Sequence, residues 1–299
     1  MPTAVKNSTA NSLTPIYEFL LRFAASGFIP GHWFISKQPK KHQLTAKSGK
    51  LHIEIVSHCW QYSQFLSHQL ASISHFPPTS GQLTFTLFYS SEDEATVALV
   101  AQYQAISIER VTWNFQAIDT PQLLRRAIGR NRAAKHTQAD WIWFTDCDVL
   151  FLENCLDSLN QALQNRNDIL VFPQQLKATC LLKSNNQLLQ PTCESIKNTE
   201  FKHREFKKAT GPIQIVHGDV AREVGYCDSL NVYQQPKERW VKTYEDRAFR
   251  WLLGTHGTPI QLKNLYLIRH EEKGRYKKDS EFSKLRQAIR KIKSDLTGR

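Results

Sequence analysis

The chain has 299 residues, with 39 Lys and Arg against 27 Asp and Glu, a formal net charge of +12 and a pI near 9.4. Apolar residues make up 41% and charged residues 22%, enough to bury a core, which excludes disorder as the general state. Six cysteines, at 59, 147, 155, 180, 193 and 227, form no CxxC pair and no zinc spacing, so a disulfide framework is excluded and a reducing compartment is expected.

No basic stretch followed by an apolar run opens the sequence, so the expected location is cytoplasmic. Residues 1–50 read as an N-terminal extension. Its apolar part, Ile16 to Ile35, carries Glu18, Arg22, two Gly and a Pro and cannot span a bilayer as one helix. It reads as a segment packed on the domain surface. The alternative is an interfacial role, resting on Leu20, Leu21, Phe23, Phe28, Trp33 and Phe34 followed by Lys37, Lys40 and Lys41.

From Leu51 the chain alternates strand and helix. Leu51 to Val56 alternates and ends at Ser57-His58, as a strand feeding a loop does. Residues 60–75 have helical apolar spacing, broken by Pro77-Pro78 and Gly81. Leu83 to Tyr89 is a strand, Glu92 to Tyr103 a helix, Ile106 to Phe115 a strand and Pro121 to His136 an Arg-rich helix. Trp141 to Phe144 is a buried-type strand ending in Asp146-Cys147-Asp148. This order predicts an α/β fold, an open mixed Rossmann-like sheet flanked by helices, with ligands at the strand C-terminal ends. Further on, Asn154 to Gln164 reads as helix, Asp168 to Pro173 as strand, and 175–210 is ambiguous. Gly211 to Val216 reads as strand. Asp219 is placed to N-cap a helix through Gly225, and Thr243 one through Leu253. Ser280 to Leu296 puts Phe282, Leu285, Ile289, Ile292 and Leu296 on one helical face.

The chemistry centres on three features. Asp146 and Asp148, one residue apart where an apolar strand ends, can reach one divalent cation; oxygen ligands favour Mg2+ or Mn2+, with a diphosphate completing the shell. The plain alternative is two solvated acids in a turn. Glu245 and Asp246 sit in the first turn of a helix, where its positive end favours them; they serve as caps, or one serves as a base for a hydroxyl. His270 follows the apolar run Leu265 to Ile268 and is either structural or a third metal ligand.

In this order, Arg130-Asn131-Arg132-Ala133-Ala134, WIWFTDCDVLF, GPIQIV, the Glu245-Asp246 pair and His270 resemble the core of GT-A nucleotide-sugar glycosyltransferases, particularly the family-2-like group with its DxD motif. The resemblance covers roughly residues 51–276. It implies a single catalytic domain with a nucleotide-binding half at 51–150 and an acceptor half at 151–276, followed by a basic amphipathic helix at 277–299. It implies metal-dependent sugar transfer from a nucleotide donor, UDP-sugar being expected, to a carbohydrate or lipid-linked hydroxyl with inversion. Asp148 and His270 would hold Mn2+ or Mg2+, and Asp146 would hold the metal through water or the donor ribose. Asp246 would be the base, with Glu245 orienting the acceptor. Arg130, or Arg126 one turn earlier, would touch the diphosphate, and Ser57, Ser90, Glu92 and Asp93 would lie near the base and ribose. Two departures stand out. Only Trp240 remains of a Gly/Trp-rich stretch before the acidic pair, and Cys147 between the aspartates would make the site oxidation-sensitive.

Two other classes compete. A nucleotidyltransferase also uses paired carboxylates, but no P-loop or GxGxxG is present. A nucleic-acid binder would explain +12, but no zinc, RNP or heptad signature appears. The charge has other uses: residues 263–299 hold 12 Lys and Arg against 5 Asp and Glu, which fits an anionic membrane surface. No nucleic-acid partner is expected.

Overall fold

The computed structural model describes residues 14–35, 37–182, 199–239 and 244–270. The expected terminal helix at 277–299, Trp240 and Thr243 lie outside them. Among the described residues no helix is long and apolar enough to cross a membrane.

The chain enters through α1 (Thr14–Phe23), a π turn (Ala24–Phe28) and a 3-10 turn (Gly31–Phe34). The α/β part then runs β1 (His52–Cys59), α2 (Ser63–His75), β2 (Gln82–Tyr89), α3 (Glu94–Gln104), β3 (Val111–Ala117), α4 (Thr120–Leu123), α5 (Arg126–His136) and β4 (Trp141–Phe144). After it come β5 (Val149–Phe151), α6 (Cys155–Ala162), β6 (Leu170–Pro173), β7 (Gln175–Thr179), β8 (Phe201–Glu205), β9 (Gln214–His217), α7 (Gly218–Val224), α8 (Asn231–Gln234), α9 (Glu245–Leu252), β10 (Thr258–Ile260) and β11 (Leu265–Leu267).

The main sheet has the order β10-β6-β9-β4-β1-β2-β3. β1 pairs in parallel with β2 and β4, and β2 with β3, while β9 runs antiparallel to both β4 and β6. The sheet is therefore open and mixed, as expected. Its central strands are apolar on both faces because helices cover both; β4 is buried throughout. The chain steps outward from β1 to β2 and β3, then returns to the other side of β1 for β4. The crevice beyond β1 and β4 is thus the topological switch point where α/β sheets bind ligands. A second sheet, β5-β11-β7-β8, stands beside that crevice and carries β11 toward it.

Several local expectations are corrected. Residues 121–136 are two helices: Arg125 takes φ −106°, ψ 83°, which ends one and starts the next. The strand expected from Ile106 begins at Val111, after a turn in which the Val111 N–H donates to the Ile108 carbonyl. Gly211–Ile213 is a 3-10 turn, and only Gln214–His217 pair as strand. The N-cap of α7 is His217, whose ring accepts from the Asp219 N–H at 3.2 Å, rather than Asp219 itself. Residues 175–179 and 201–205 of the ambiguous stretch are the antiparallel pair β7/β8.

A candidate donor pocket at the switch point

β1 ends in His58-Cys59 and β4 runs into Asp146-Cys147-Asp148, so both strands deliver side chains to one pocket. It is lined by His58, Trp60, Tyr62, Arg126, Asp146, Asp148 and His270, with Cys59, Leu123 and Cys147 behind them. The aspartate turn is pinned from below. Gln69 of α2, fully buried, donates to the carbonyls of Asp146 at 3.0 Å and Val149 at 2.9 Å. The Ile268 N–H donates to the Asp148 carbonyl at 2.9 Å, which ties the turn to the segment carrying His270.

That tie brings His270 to Asp148. Its Nε2 lies 3.7 Å from Asp148 Oδ2, and its ring packs on Phe65 at 4.2 Å between centroids. Asp148 Oδ1 is buried with no hydrogen-bond partner. Asp146 is oriented differently. Its Oδ1 pairs with Arg126 Nη1 and lies 3.3 Å from Arg130 Nη2. Among the described residues no group of three or more His, Cys, Asp or Glu is arranged to hold a metal ion. The structure thus joins two of the three expected ligands, Asp148 and His270, and gives the third, Asp146, to two arginines.

Those arginines are set by α5. Arg130 is fully buried; its Nη1 donates to the Tyr226 hydroxyl at 2.9 Å and its Nη2 to the Thr145 carbonyl at 3.2 Å. Tyr226 in turn donates to Gln214 Oε1 at 3.1 Å, and Gln214 Nε2 donates to the Asp246 carbonyl at 3.0 Å. Arg130 is therefore a fixed strut from the aspartate turn to the start of α9, while Arg126 is the one that reaches the pocket. Burial alone would lower the Arg126 pKa; the charges of Asp146, Glu245 and Asp246 outweigh it and raise it, so the guanidinium stays charged.

The acidic pair divides. Glu245 is buried and lies 3.5 Å from Arg125 Nη1. That corrects its expected role as an acceptor ligand, because its carboxylate is used inside the protein. Asp246 remains partly open, with Arg250 Nη1 3.8 Å from Oδ2 and Gly211 beside it; a Cβ on Gly211 would lie 3.7 Å from the Asp246 Cβ.

Three expected donor residues do not line the pocket. Ser57 is buried within β1. The Ser90 hydroxyl lies 2.7 Å from that of Thr120. Asp93 caps α3, accepting from the Thr96 N–H at 3.3 Å, and accepts from the Gln61 N–H at 2.6 Å. Cys147 is buried, and contact with Cys59, then burial, push its thiol well above its ordinary value, which keeps it protonated.

His58, Trp60 and Tyr62 are pocket residues that the sequence reading missed, and His58 is the polar, buried one among them. Both its ring nitrogens are buried without hydrogen-bond partners, and the ring stacks on Phe88 at 5.1 Å. Burial first, and then Arg130 and Arg126, lower its pKa well below the usual value, so it stays neutral. Gly129 makes room for it, since a Cβ there would lie 2.3 Å from His58 Nε2. Its position at the C-terminal end of β1, beside the switch point, was the available signal.

Residues 90–222, which run from the turn after β2 into α7 and include Arg126, Arg130, Asp146 and Asp148, match the family model described as Glycosyl transferase family 2. The resemblance to family-2 glycosyltransferases read from the sequence is borne out over these residues. No curated protein matches the chain. Solved structures similar to it include Staphylococcus aureus TarS residues 1–349 in complex with UDP, at 12% identity and TM-score 0.48, covering 73% of this chain and 60% of that one. A mannosyltransferase of Pyrobaculum calidifontis in complex with GDP-Man and Mn2+ has 12% identity and TM-score 0.44, covering 88% of this chain and 66% of that one. This chain thus spans about 60% of the TarS fragment.

Proposed function

We propose that the chain transfers a sugar from a nucleoside diphosphate donor to an acceptor hydroxyl. One observation carries the reading: the switch-point pocket, whose aspartates and arginine lie in the segment matched by the family-2 model, joins a buried, unpartnered aspartate oxygen and a histidine to a charged arginine. That is the donor set a nucleoside diphosphate and its divalent cation need. UDP with Mn2+ or Mg2+ is the reading adopted here.

Asp148 and His270 fit a divalent cation as two protein ligands, leaving the remaining positions to phosphate oxygens and water. Such an ion would supply charge neutralisation at the leaving diphosphate. Arg126 would supply the same from the protein, and Asp146 holds Arg126 and Arg130 in place for it. Asp246 would take the acceptor proton as its oxygen attacks the anomeric carbon. The bond from that carbon to the phosphate oxygen breaks, and the nucleoside diphosphate leaves. Attack opposite the leaving group inverts the centre. Asp246 fits the base role better than Glu245, because Glu245 is already neutralised by Arg125.

The test is thermal. UDP with Mn2+ at a hundredfold excess over Kd should stabilise by about 2.7 kcal/mol, a rise of about 4 °C. Asp148→Ala should abolish the metal-dependent part. No shift with any nucleoside diphosphate would overturn the proposal. Asp246→Asn should keep the shift and lose about 10²–10⁴-fold in transfer rate; unaltered turnover would remove it from the base role.

A further inference from the structure

A surface helix normally turns its apolar stripe to the core and its charges to water. α1 buries Leu21 in this way, but its outer face is apolar as well. Glu18 points inward, with Oε1 2.9 Å from Arg125 Nη2 and 3.5 Å from Lys237 Nζ. Arg22 lies over the Tyr244 ring at 5.0 Å. Outward stand Ile16, Phe19, Leu20 and Phe23, more than half exposed, at the spacing of one helical face. The π turn brings Phe28, 72% exposed, back to stack on Phe23 at 4.8 Å. Trp33, 71% exposed, stands out from the next turn.

This face is held rigidly. Arg247 donates through Nε to the Ala25 carbonyl at 3.0 Å, and Trp251 Nε1 donates to the Ile29 carbonyl at 2.6 Å. Both donors lie on α9, whose first turn carries Glu245 and Asp246. Across residues 14–50 there are six Lys or Arg and one acid, Glu18, which is the one turned inward. Lys41 and Lys47 pair with Asp168 and Asp140, while Lys37 and Lys40 stand exposed in the stretch that follows Trp33. Bulky apolar groups facing water, followed by such cations, suit a bilayer with anionic headgroups, the rings entering the headgroup boundary and the cations pairing with phosphates. A second copy of this chain carries the same net charge of +12 and would be repelled by it.

We propose that the outward face of α1 and the turn after it dock the protein on an anionic lipid surface, with the α9 carboxylates held beside that surface. The docking stands on this face alone. Only its consequence, an acceptor carried by a lipid or lying at the membrane, rests on the glycosyl-transfer reading.

The experiment is sedimentation of the full chain with vesicles of phosphatidylcholine alone or with phosphatidylglycerol, for the wild type and a Phe19→Ser, Leu20→Ser, Phe23→Ser variant. These side chains face water, so the variant should melt within a few degrees of the wild type, which shows that it is folded. The wild type should pellet with the phosphatidylglycerol vesicles and the variant should bind them at least about tenfold more weakly. A wild type left in the supernatant overturns the proposal. So does equal pelleting of both proteins, which would assign binding to the basic stretch beyond residue 270. A wild-type dimer that the variant splits, with no difference in pelleting, overturns it in favour of a second copy. UDP-induced stabilisation, measured in the same samples without vesicles, reports separately on the transfer reading.

Discussion

Replacing Arg125 by Met should destabilise the protein through Glu245 rather than through Arg125 itself. Arg125 is fully buried, with Nη2 2.9 Å from Glu18 Oε1, Nη1 3.5 Å from Glu245 Oε1 and its guanidinium 5.6 Å from the Tyr233 ring centroid. Methionine fills much of the same volume and leaves no polar group behind. Glu18 is 22% exposed and keeps Lys237, so water and that lysine absorb most of its loss, and its share is that of a surface pair, about 0–1 kcal/mol. Glu245 is 3% exposed and has no such relief. Stranding a buried charge costs about 3–5 kcal/mol. With an unfolding entropy of roughly 2.1 cal/mol/K per residue, that lowers Tm by about 5–8 °C. Glu245→Gln alone should cost about 1–3 kcal/mol, because Arg125 then keeps Glu18 as its counter-charge. The double variant strands no charge, only the amide at position 245 and the Gln235 carbonyl to which Arg125 Nε donates, so it should cost at least about 1.5 kcal/mol less than the two single costs together. Equilibrium urea unfolding of the four proteins measures this. Costs that add to within about 0.5 kcal/mol would refute the argument, since they would mean that Glu245 is solvated without Arg125.

Two further variants test the framework around the site. His217 accepts from the Asp219 N–H at 3.2 Å and its Nε2 lies 3.2 Å from the Thr45 carbonyl; burial lowers its pKa despite that carbonyl and Asp219. Its contribution is therefore complete above the unfolded value of about 6.5 and is lost as pH falls below it, so Tm should drop between pH 7 and 5 and drop less in His217→Gln; parallel pH curves would refute this. A residual fall should remain, because His58 shifts in the same direction. Gly31→Ala would place a Cβ 1.8 Å from the Trp251 carbonyl oxygen, an atom of the α9 backbone that cannot yield. It should lift the Ile29–Phe34 turn off α9, cost about 1–3 kcal/mol and expose residues 24–40 to limited proteolysis; an unchanged melting curve would show that the contact is soft.

What could be read from the sequence follows from how buried each element is. β1, β2 and β4 are apolar runs that end at polar residues, and the structure starts and stops them within a few positions of that reading. β8, Phe-Lys-His-Arg-Glu, is a mostly exposed edge strand; its only apolar residue is the first, so no alternation marks it. The break between α4 and α5 falls at Leu124-Arg125, with neither Gly nor Pro to announce it. At the site, Asp148 and His270 were legible because each follows an apolar strand, and strand ends are where a sheet exposes chemistry. The fate of Asp146 was not, because its orientation depends on two guanidiniums from α5. Nor was the pairing of Arg125, whose partners lie 107 and 120 residues away in sequence.

The unannounced break also explains how the two ends of the site are coupled. With Arg125 outside the helical region, its guanidinium goes to Glu18 and Glu245, under α1 and α9, and that of Arg126 goes to Asp146 in the pocket. The charges of Glu245 and Asp246 still reach Arg126, so the clusters are linked electrostatically as well as through the chain.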